Sequence, residues 1–281
     1  MKVLITGSNG YLGTRLFEFL RKRQGIQVFG TYLSGGGGEN ELSNQFLLDI
    51  TQEKNVIRVM DAVQPDCVVH AAAIVHGDLA NDTSLLREVN INGTKNIIEA
   101  ARKHNSKILY ISTIAALGSG NEYGKSKLEG EKIVQDSFLE YCIVRPSVII
   151  GLSPNRDPSV MFNNILDGVL RGTQVIVDSE WKFQPSWIDH VCEVIAQWLD
   201  GKIMDQGPLY PIVPEVKSRF EIAEDILSRF SLHAVPVQNP RYEENELIGQ
   251  ESLIRNNLPI YSYENVLNTI VEQMRVMKGG Q

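Results

Sequence analysis

Short β-branched runs alternate with amphipathic stretches through the first half of the chain, and this alternation constrains the fold more than any other feature. Apolar runs such as YCIVRPSVII are typical of strands that helices cover on both faces. The pattern predicts an α/β fold with a doubly wound parallel sheet, whose ligands bind at the carboxyl ends of the strands. We predict strands at residues 2–6, 27–33, 45–48, 67–70, 107–112 and 141–149, and helices at 11–24, 54–63, 85–104 and 122–136.

A glycine-rich segment, TGSNGYLG, stands between the first predicted strand and the first predicted helix. Backbone without a Cβ can turn tightly and approach a pyrophosphate, whose charge is met by the N–H groups of the helix N-terminus. A role in packing alone is the alternative, because a glycine pattern by itself is a weak signal. We predict a Rossmann-type dinucleotide site that uses Gly7, Asn9, Gly10, Tyr11, Leu12 and Gly13.

The second predicted strand ends in GTYLS, residues 30–34, without an acidic residue. Sheets that bind NAD usually carry an acid at this point for the ribose 2′-hydroxyl. The next carboxylates lie beyond four glycines at 35–38, which we predict to be a flexible loop. The hydroxyls of Thr31 and Ser34 could bind a 2′-phosphate, although no arginine stands in the segment. We therefore favour NADP as the cofactor, with NAD as the alternative.

Tyr123 and Lys127 stand four residues apart in the predicted helix 122–136, and Thr113 directly follows the predicted strand 107–112. Side chains at i and i+4 share one helix face, about 5 to 6 Å apart. We therefore expect Lys127 to lower the phenol pKa from its usual value of about 10. Tyr123 would protonate a carbonyl oxygen, Thr113 would donate a hydrogen bond to that oxygen, and Lys127 would also bind the nicotinamide ribose. The pattern predicts carbonyl reduction or alcohol oxidation, unless the Tyr-Lys spacing arises by chance.

These motifs resemble those of the extended short-chain dehydrogenases/reductases, most of all the branch of dTDP-4-dehydrorhamnose reductases and related nucleotide-sugar reductases. The resemblance covers residues 1 to about 150 through TGSNGYLG, LLDIT, HAAA, VNINGT, YIST, YGKSK and IVRPSVIIG. It implies that Asp49 and Ile50 hold the adenine, that Pro146 lies near the nicotinamide, and that Asn90 supports the active-site helix. The cofactor-binding residues that it implies are Asp49, Ile50, Ala71, Ala72, Ala73, Asn90, Lys127 and Pro146.

The resemblance implies a reductase that acts on a keto group of a nucleotide-linked deoxysugar in carbohydrate biosynthesis. Rhamnose-pathway reductases usually continue the catalytic threonine with an acidic and an aromatic residue, whereas Thr113 is followed by IAALG. The identity of the sugar is therefore open, and the Asp-Glu pair of a 4,6-dehydratase is missing. Two other interpretations stay open: a nucleotide-sugar epimerase that keeps NAD bound, and a non-catalytic dinucleotide-binding regulatory subunit like that of methionine adenosyltransferase.

The pattern changes past residue 151, where the chain leaves the predicted sheet. We expect residues 1–151 to form the Rossmann domain, with 186–213 returning to it. Residues 152–185 and 214–281 would form a smaller α+β lobe that binds the substrate. Within this part we predict helices at 159–170, 188–199 and 220–230, strands at 174–177 and 209–213, and a frayed tail at 278–281.

Composition and charge exclude several classes of protein. The 281 residues are 43% hydrophobic and 22% charged with a formal net charge of −7, so no basic stripe is available to bind nucleic acid. No apolar run reaches the length of a signal peptide or a membrane span. We expect a cytoplasmic protein that acts on a nucleotide sugar. Whether two copies pair as a homodimer through helices 85–104 and 122–136 stays an open question. Its thiols should be reduced and buried: Cys67, Cys142 and Cys192.

Two groups of polar residues have simpler interpretations. His70 and His76 flank a strand end, but their spacing fits no metal-ligand pattern, so we predict no metal site. The carboxylates that follow Lys127 on its helix should be solvated and pair with nearby lysines: Glu129 and Glu131 with Lys125 and Lys132.

Overall fold

The computed structural model describes residues 1–34, 44–75, 82–118, 121–203, 207–239 and 247–280; the predicted loop at 35–38 and His76 lie outside these ranges. The chain divides into two compact units. The first is Met1–Arg145 with Cys192–Leu209, and the second is Pro146–Val191 with Tyr210–Gln281. Residues 146–151, 186–191 and 210–213 therefore group with the second unit.

A parallel sheet of six strands lies at the centre of the first unit. The strands are β1 Lys2–Thr6, β2 Gln27–Tyr32, β3 Gln45–Leu47, β4 Cys67–His70, β5 Lys107–Ile111 and β6 Tyr141–Val144. Their order is β3-β2-β1-β4-β5-β6, and in register Thr6 pairs with His70 and Ile5 with Gly30. The order reverses between β1 and β4, which is where ligands of such sheets bind. The predicted α/β, Rossmann-type fold is confirmed.

Helices cover this sheet: α1 Tyr11–Arg21, α2 Glu53–Val63, α3 Thr83–Leu86, α4 Thr94–His104 and α5 Glu122–Gln135. The predicted helix 85–104 is interrupted, because a π-helical segment, Arg87–Gly93, separates α3 from α4. Thr94 Oγ1 donates to the Asn90 carbonyl within this segment (2.7 Å). None of the helices in the described ranges is long and apolar enough to cross a membrane.

The core of the first unit lies between the sheet and the apolar stripes of α2 and α4. Burial of these side chains supplies the main driving force for holding the strand ends in place. All three cysteines are buried free thiols. The core residues include Leu4, Val68, Ile108, Val56, Met60, Ile97 and Ala101.

The second unit combines short strand pairs with helices. Its elements are β7 Ile149–Ile150, α6 Met161–Arg171, β8 Val175–Asp178, β9 Lys182–Phe183, β10 Ser186–Trp187, β11 Lys217–Ser218, α8 Arg219–Leu227, β12 Ala234–Val237, α9 Glu251–Arg255 and α10 Tyr263–Gly279; α7, Ile188–Leu199, crosses the unit boundary. The strands pair as β7 with β10, β8 with β12, and β9 with β11. A capping box of Ser218 and Glu221 starts α8. Burial raises the Glu221 pKa, but the hydrogen bonds with Ser218 and the nearby lysine charges together outweigh burial and lower this pKa overall.

Three predictions about secondary structure are wrong. The predicted strand 141–149 breaks after Val144, because Pro146 has no N–H for a sheet ladder. The predicted strand 209–213 is reduced to a single bridge between Leu209 and Val144. The tail predicted to be frayed is helical through Gly279, the last residue of α10.

Candidate active site

The glycine loop connects β1 to α1 in a conformation that depends on missing side chains. Gly7 has φ +68°, and a Cβ there would lie 2.9 Å from Ala72 Cα. A Cβ on Gly13, in the first turn of α1, would collide with the Gly7 carbonyl oxygen. Gly10 is the N-cap of α1 and offers no side-chain acceptor to the N–H groups of the first turn. This loop and helix start therefore fit the pyrophosphate of a dinucleotide.

The loop is tied to the end of β2. Asn9 Nδ2 donates to the Ser34 carbonyl (2.8 Å), and Ser8 N donates to the Thr31 carbonyl (2.8 Å). Ser34 is exposed and available to a ligand. Thr31 is only 1% exposed, so the prediction that its hydroxyl binds a 2′-phosphate is wrong. Alternation of side chains along β2 turns this residue into the protein.

Three alanines, Ala71–Ala73, follow β4 and are partly exposed. Thr6 Oγ1 accepts from the N–H groups of Ala71 and Ala72, both at 3.1 Å, which fixes the backbone beside the glycine loop.

The segment after β3, which contains Asp49 and Ile50, is held by hydrogen bonds to other residues of the first unit. Asp49 Oδ1 accepts from Thr51 N (2.9 Å) and Thr51 Oγ1 (2.7 Å). The neighbouring Ile50 side chain is buried, and Asn96 Nδ2 donates to its carbonyl (2.9 Å).

His70 is a core histidine. Its ring nitrogens lie 2.7 Å from Thr6 Oγ1 and 3.1 Å from Thr94 Oγ1. Burial, followed by the charge of Lys127, lowers the His70 pKa to about 3, so the ring is neutral near pH 7. Among the described residues, no group of histidine, cysteine and acidic side chains could hold a metal.

Thr113 and Tyr123 are brought together by two tight turns. Thr113 Oγ1 accepts from Ala115 N (3.2 Å), which caps a short 3₁₀ turn after β5. The N-cap of α5 is Asn121, whose Oδ1 accepts from Gly124 N (2.6 Å). A Cβ on Gly124 would collide with the Ala115 carbonyl, so only glycine lets α5 start this close to the turn. The Thr113 side chain interacts with the Tyr123 phenol as a result and lowers its pKa.

The charge state of Tyr123 differs from the prediction. Burial raises its pKa to about 12, and the interaction with Thr113 only partly opposes this, so the expected lowering by Lys127 is wrong. Burial is the largest cause of the Tyr123 shift, and the Lys127 Nζ lies over another ring, 4.1 Å from the centroid of Tyr110. Lys127 is 2% exposed, and burial lowers its pKa to about 7 against the attraction of Glu131. Tyr123 thus keeps its proton at neutral pH.

Glu131 is a residue of this site that sequence reasoning misplaced. It is 1% exposed and pairs with Arg145, whose Nε lies 2.7 Å from Oε1. The Ser112 hydroxyl donates a short hydrogen bond to the same oxygen. The prediction of a solvated Glu131 paired with a lysine is wrong. Its spacing of eight residues from Tyr123, on the same helix face, is the signal that could have shown its burial.

Asn90 supports α5 and does not reach the surface. Its Oδ1 accepts from Ile74 N (2.9 Å), and its Nδ2 donates to the Ile74 carbonyl and to Ser126 Oγ, both at 3.0 Å.

The other residues expected to bind the cofactor differ in their exposure. In the first turn of α1, Tyr11 is partly exposed and Leu12 is buried. Pro146 is the first residue of the second unit and is buried.

A family model described as the RmlD substrate binding domain matches residues 1–253. The chain belongs to this family. The resemblance found in the sequence motifs is thereby confirmed.

Individual relatives of this RmlD-family chain match to different extents. The dTDP-4-dehydrorhamnose reductase of Aggregatibacter actinomycetemcomitans is 31% identical over 165 residues, which is 53% of this chain and 52% of the reductase. The chain thus spans about half the length of that relative. Bovine methionine adenosyltransferase 2 subunit beta is 23% identical over 82% of this chain and 72% of its own length. The dTDP-4-dehydrorhamnose reductase of Bacillus anthracis str. Ames, solved in complex with NADP, has a TM-score of 0.75 at 23% identity, covers 97% of this chain and 98% of its own, and shows the same fold.

Proposed function

We propose that this RmlD-family chain is an NAD(P)-dependent reductase of a keto group on a nucleotide-linked deoxysugar. The observation that carries the proposal is the interaction of the Thr113 hydroxyl with the Tyr123 phenol, with the buried Lys127 on the same helix as the phenol. A phenol, a hydroxyl and an ammonium at the carboxyl edge of a dinucleotide-binding sheet are suited to proton transfer beside a nicotinamide. The dTDP-4-dehydrorhamnose reductase relatives support the substrate class.

NADP is the preferred cofactor in this proposal. The glycine loop and the start of α1 would hold its pyrophosphate. Residues 30–34 at the end of β2 include no carboxylate that would repel a 2′-phosphate, and Ser34 and Asn9 stand there exposed. The solved reductase relative that contains NADP supports the choice. When bound in its reduced form, the cofactor supplies the hydride.

The residues of the chain handle the proton. Tyr123, with a pKa of about 12, is protonated near pH 7 and donates its proton to the ketone oxygen. The Thr113 hydroxyl, which lowers the pKa of the phenol, would stabilise the phenolate that remains. Lys127 would bind the ribose hydroxyls of the nicotinamide. A positioned general acid of this kind contributes about 10²- to 10⁴-fold to the rate.

A screen of nucleotide 4-ketosugars for NADPH oxidation tests the proposal. Tyr123→Phe is expected to lower kcat by about 10²- to 10⁴-fold without changing the dissociation constant for NADPH. The matched control is Tyr141→Phe, which removes a phenol from β6 outside the site and should keep the wild-type rate. An unchanged rate in Tyr123→Phe, or no turnover of any ketosugar, would overturn the proposal.

A regulatory, non-catalytic subunit is the second candidate. In its favour, the match to bovine methionine adenosyltransferase 2 subunit beta covers 82% of this chain, against 53% for the curated reductase. The same screen separates the two candidates, because a subunit would bind NADPH in a fluorescence titration and oxidise none of it with any ketosugar. Substrate interconversion with retained NAD and no net cofactor turnover would instead identify an epimerase.

A further inference from the structure

The Lys127 ammonium is held in the protein by an unusual contact. Its side chain is buried, and Nζ lies 4.1 Å from the centroid of the Tyr110 ring. Within the described ranges, no hydrogen bond or ion pair involves Nζ. A cation over an aromatic face is attracted by the negative charge of the ring, most strongly where water is excluded. The Tyr110 ring therefore sets the place of this ammonium.

The Tyr110 ring is itself fixed from several sides. It lies on β5 and is fully buried. On α5, a Cβ at Gly130 would collide with the Tyr110 hydroxyl, so the helix backbone packs directly on the phenol. The His70 ring lies with its centroid 5.7 Å from the Tyr110 centroid, and His70 is in turn hydrogen-bonded to Thr6 and Thr94. Such packing leaves the ring one position.

Among the charged and titratable groups around Lys127, Glu131 attracts the ammonium in addition to the ring. On β4, His70 is neutral near pH 7 because its pKa is lowered to about 3. On α5, Tyr123 keeps its proton, and both oxygens of Glu131 accept hydrogen bonds from Arg145. The Glu131 carboxylate still raises the Lys127 pKa, but its charge is shared with Arg145. Tyr110, on β5, presents its ring face to the ammonium.

We infer that Tyr110 is a positioning residue, whose ring face holds the Lys127 ammonium in place for the nicotinamide ribose. The inference rests on the proposed reductase function. Tyr110 acts through Lys127 and has no part in proton transfer.

Two substitutions separate the ring face from the hydroxyl. Tyr110→Phe keeps the face and removes the hydroxyl, while Tyr110→Met fills a similar volume without an aromatic face. The Lys127 titration is followed by NMR of protein with ¹⁵N-labelled lysine, and its signal is assigned by its loss in Lys127→Met. Tyr110→Met should lower the Lys127 pKa by roughly 0.5 to 1.5 pH units, whereas Tyr110→Phe should leave it within about 0.3 units.

Activity and cofactor binding give a second readout. With NADPH as the probe, Tyr110→Met should raise the dissociation constant and move the alkaline limb of kcat/KM to lower pH, and Tyr110→Phe should keep the wild-type limb. An unchanged Lys127 titration in Tyr110→Met overturns the inference even if a ketosugar is reduced. A shifted titration without turnover of any ketosugar contradicts the proposed function and leaves the contact between Tyr110 and Lys127 standing.

A variant that fails to fold does not end the test. If Tyr110→Met is not recovered as folded protein, Gly130→Ala moves the ring from the other side, because its new methyl group must displace the Tyr110 hydroxyl. The Lys127 pKa should fall in that variant as well. A wild-type Lys127 titration in folded Gly130→Ala would contradict the inference.

Discussion

Glu131 and Arg145 form a bidentate ion pair inside the first unit, with Nε 2.7 Å from Oε1 and Nη2 2.5 Å from Oε2. Both side chains are nearly free of solvent contact. The pair joins α5, which carries Tyr123 and Lys127, to the end of β6, and Ser112 connects it to the strand end that precedes Thr113. The three reactive side chains thus share one buried anchor.

Removal of one partner of this pair should be costly. Glu131→Gln leaves the Arg145 guanidinium buried without a counter-charge, and such changes typically cost about 3 to 5 kcal/mol of stability. The expected result is a large drop in the free energy of unfolding, measured by urea denaturation monitored by circular dichroism.

An exposed ion pair provides the matched control for Glu131→Gln. Lys107 Nζ and Glu140 Oε1 are 2.7 Å apart, but their side chains are 48% and 59% exposed. Glu140→Gln should therefore cost only about 0 to 1 kcal/mol. Equal losses in the two variants would contradict the claim that burial makes the Glu131 pair costly to break.

Lys127 should make stability depend on pH. Its pKa is about 7 in the folded chain against an ordinary value of 10.5, so between these values the unfolded chain binds a proton that the folded chain lacks. Stability should therefore rise as pH increases from about 7 towards 10.5. Lys127→Met should remove this rise and increase stability near neutral pH, as measured by urea unfolding between pH 6 and about 9.5 without cofactor.

Lys125→Met is the control, because Lys125 lies on the same helix but is exposed and paired with Glu122. It should keep the wild-type dependence of stability on pH. A Lys127→Met variant that still gains stability with rising pH, in parallel with the control, would show that Lys127 is charged in the folded state throughout this range.

Much of the fold was predictable because local sequence and burial agree. The runs at Lys2–Thr6 and Cys67–His70 have apolar centres and end at polar residues, so their predicted and observed strand bounds coincide. The helix Tyr263–Gly279 could also have been predicted from the sequence. Its apolar residues recur at helical spacing after the N-cap Ser262, and only its last residues had been assigned, as a frayed tail.

The charges of the site could not be predicted in the same way. Helical spacing places Tyr123 and Lys127 on one face, but it does not say that Lys127 turns its ammonium towards Tyr110 on β5. Desolvation of Tyr123 depends on tertiary packing, which no local pattern encodes. The burial of Glu131 likewise depends on Arg145, fourteen residues further along the chain on another element.

His70 should make the chain sensitive to acid. Its pKa is about 3 in the folded state and 6.5 ordinarily, so below about pH 6.5 the unfolded chain takes up a proton that the folded chain excludes. Stability should fall as pH decreases from 6.5. His70→Asn should flatten this fall between about pH 6.5 and 5 in thermal unfolding, whatever its stability at neutral pH. Equal slopes for the wild type and His70→Asn would contradict the prediction.

The close approach of Gly13 to the Gly7 carbonyl predicts that even one methyl group disrupts the dinucleotide loop. Gly13→Ala must push the loop away from α1, and overpacking of this kind costs about 1 to 3 kcal/mol of stability. The affinity for NADPH should fall as well, because the first-turn N–H groups move relative to the loop. Gly118→Ala is the control: a Cβ there meets no atom within 4 Å, so it should change stability by less than about 0.5 kcal/mol. If Gly13→Ala bound NADPH like the wild type at undiminished stability, the loop would have room for a methyl group at residue 13, and the prediction would be wrong.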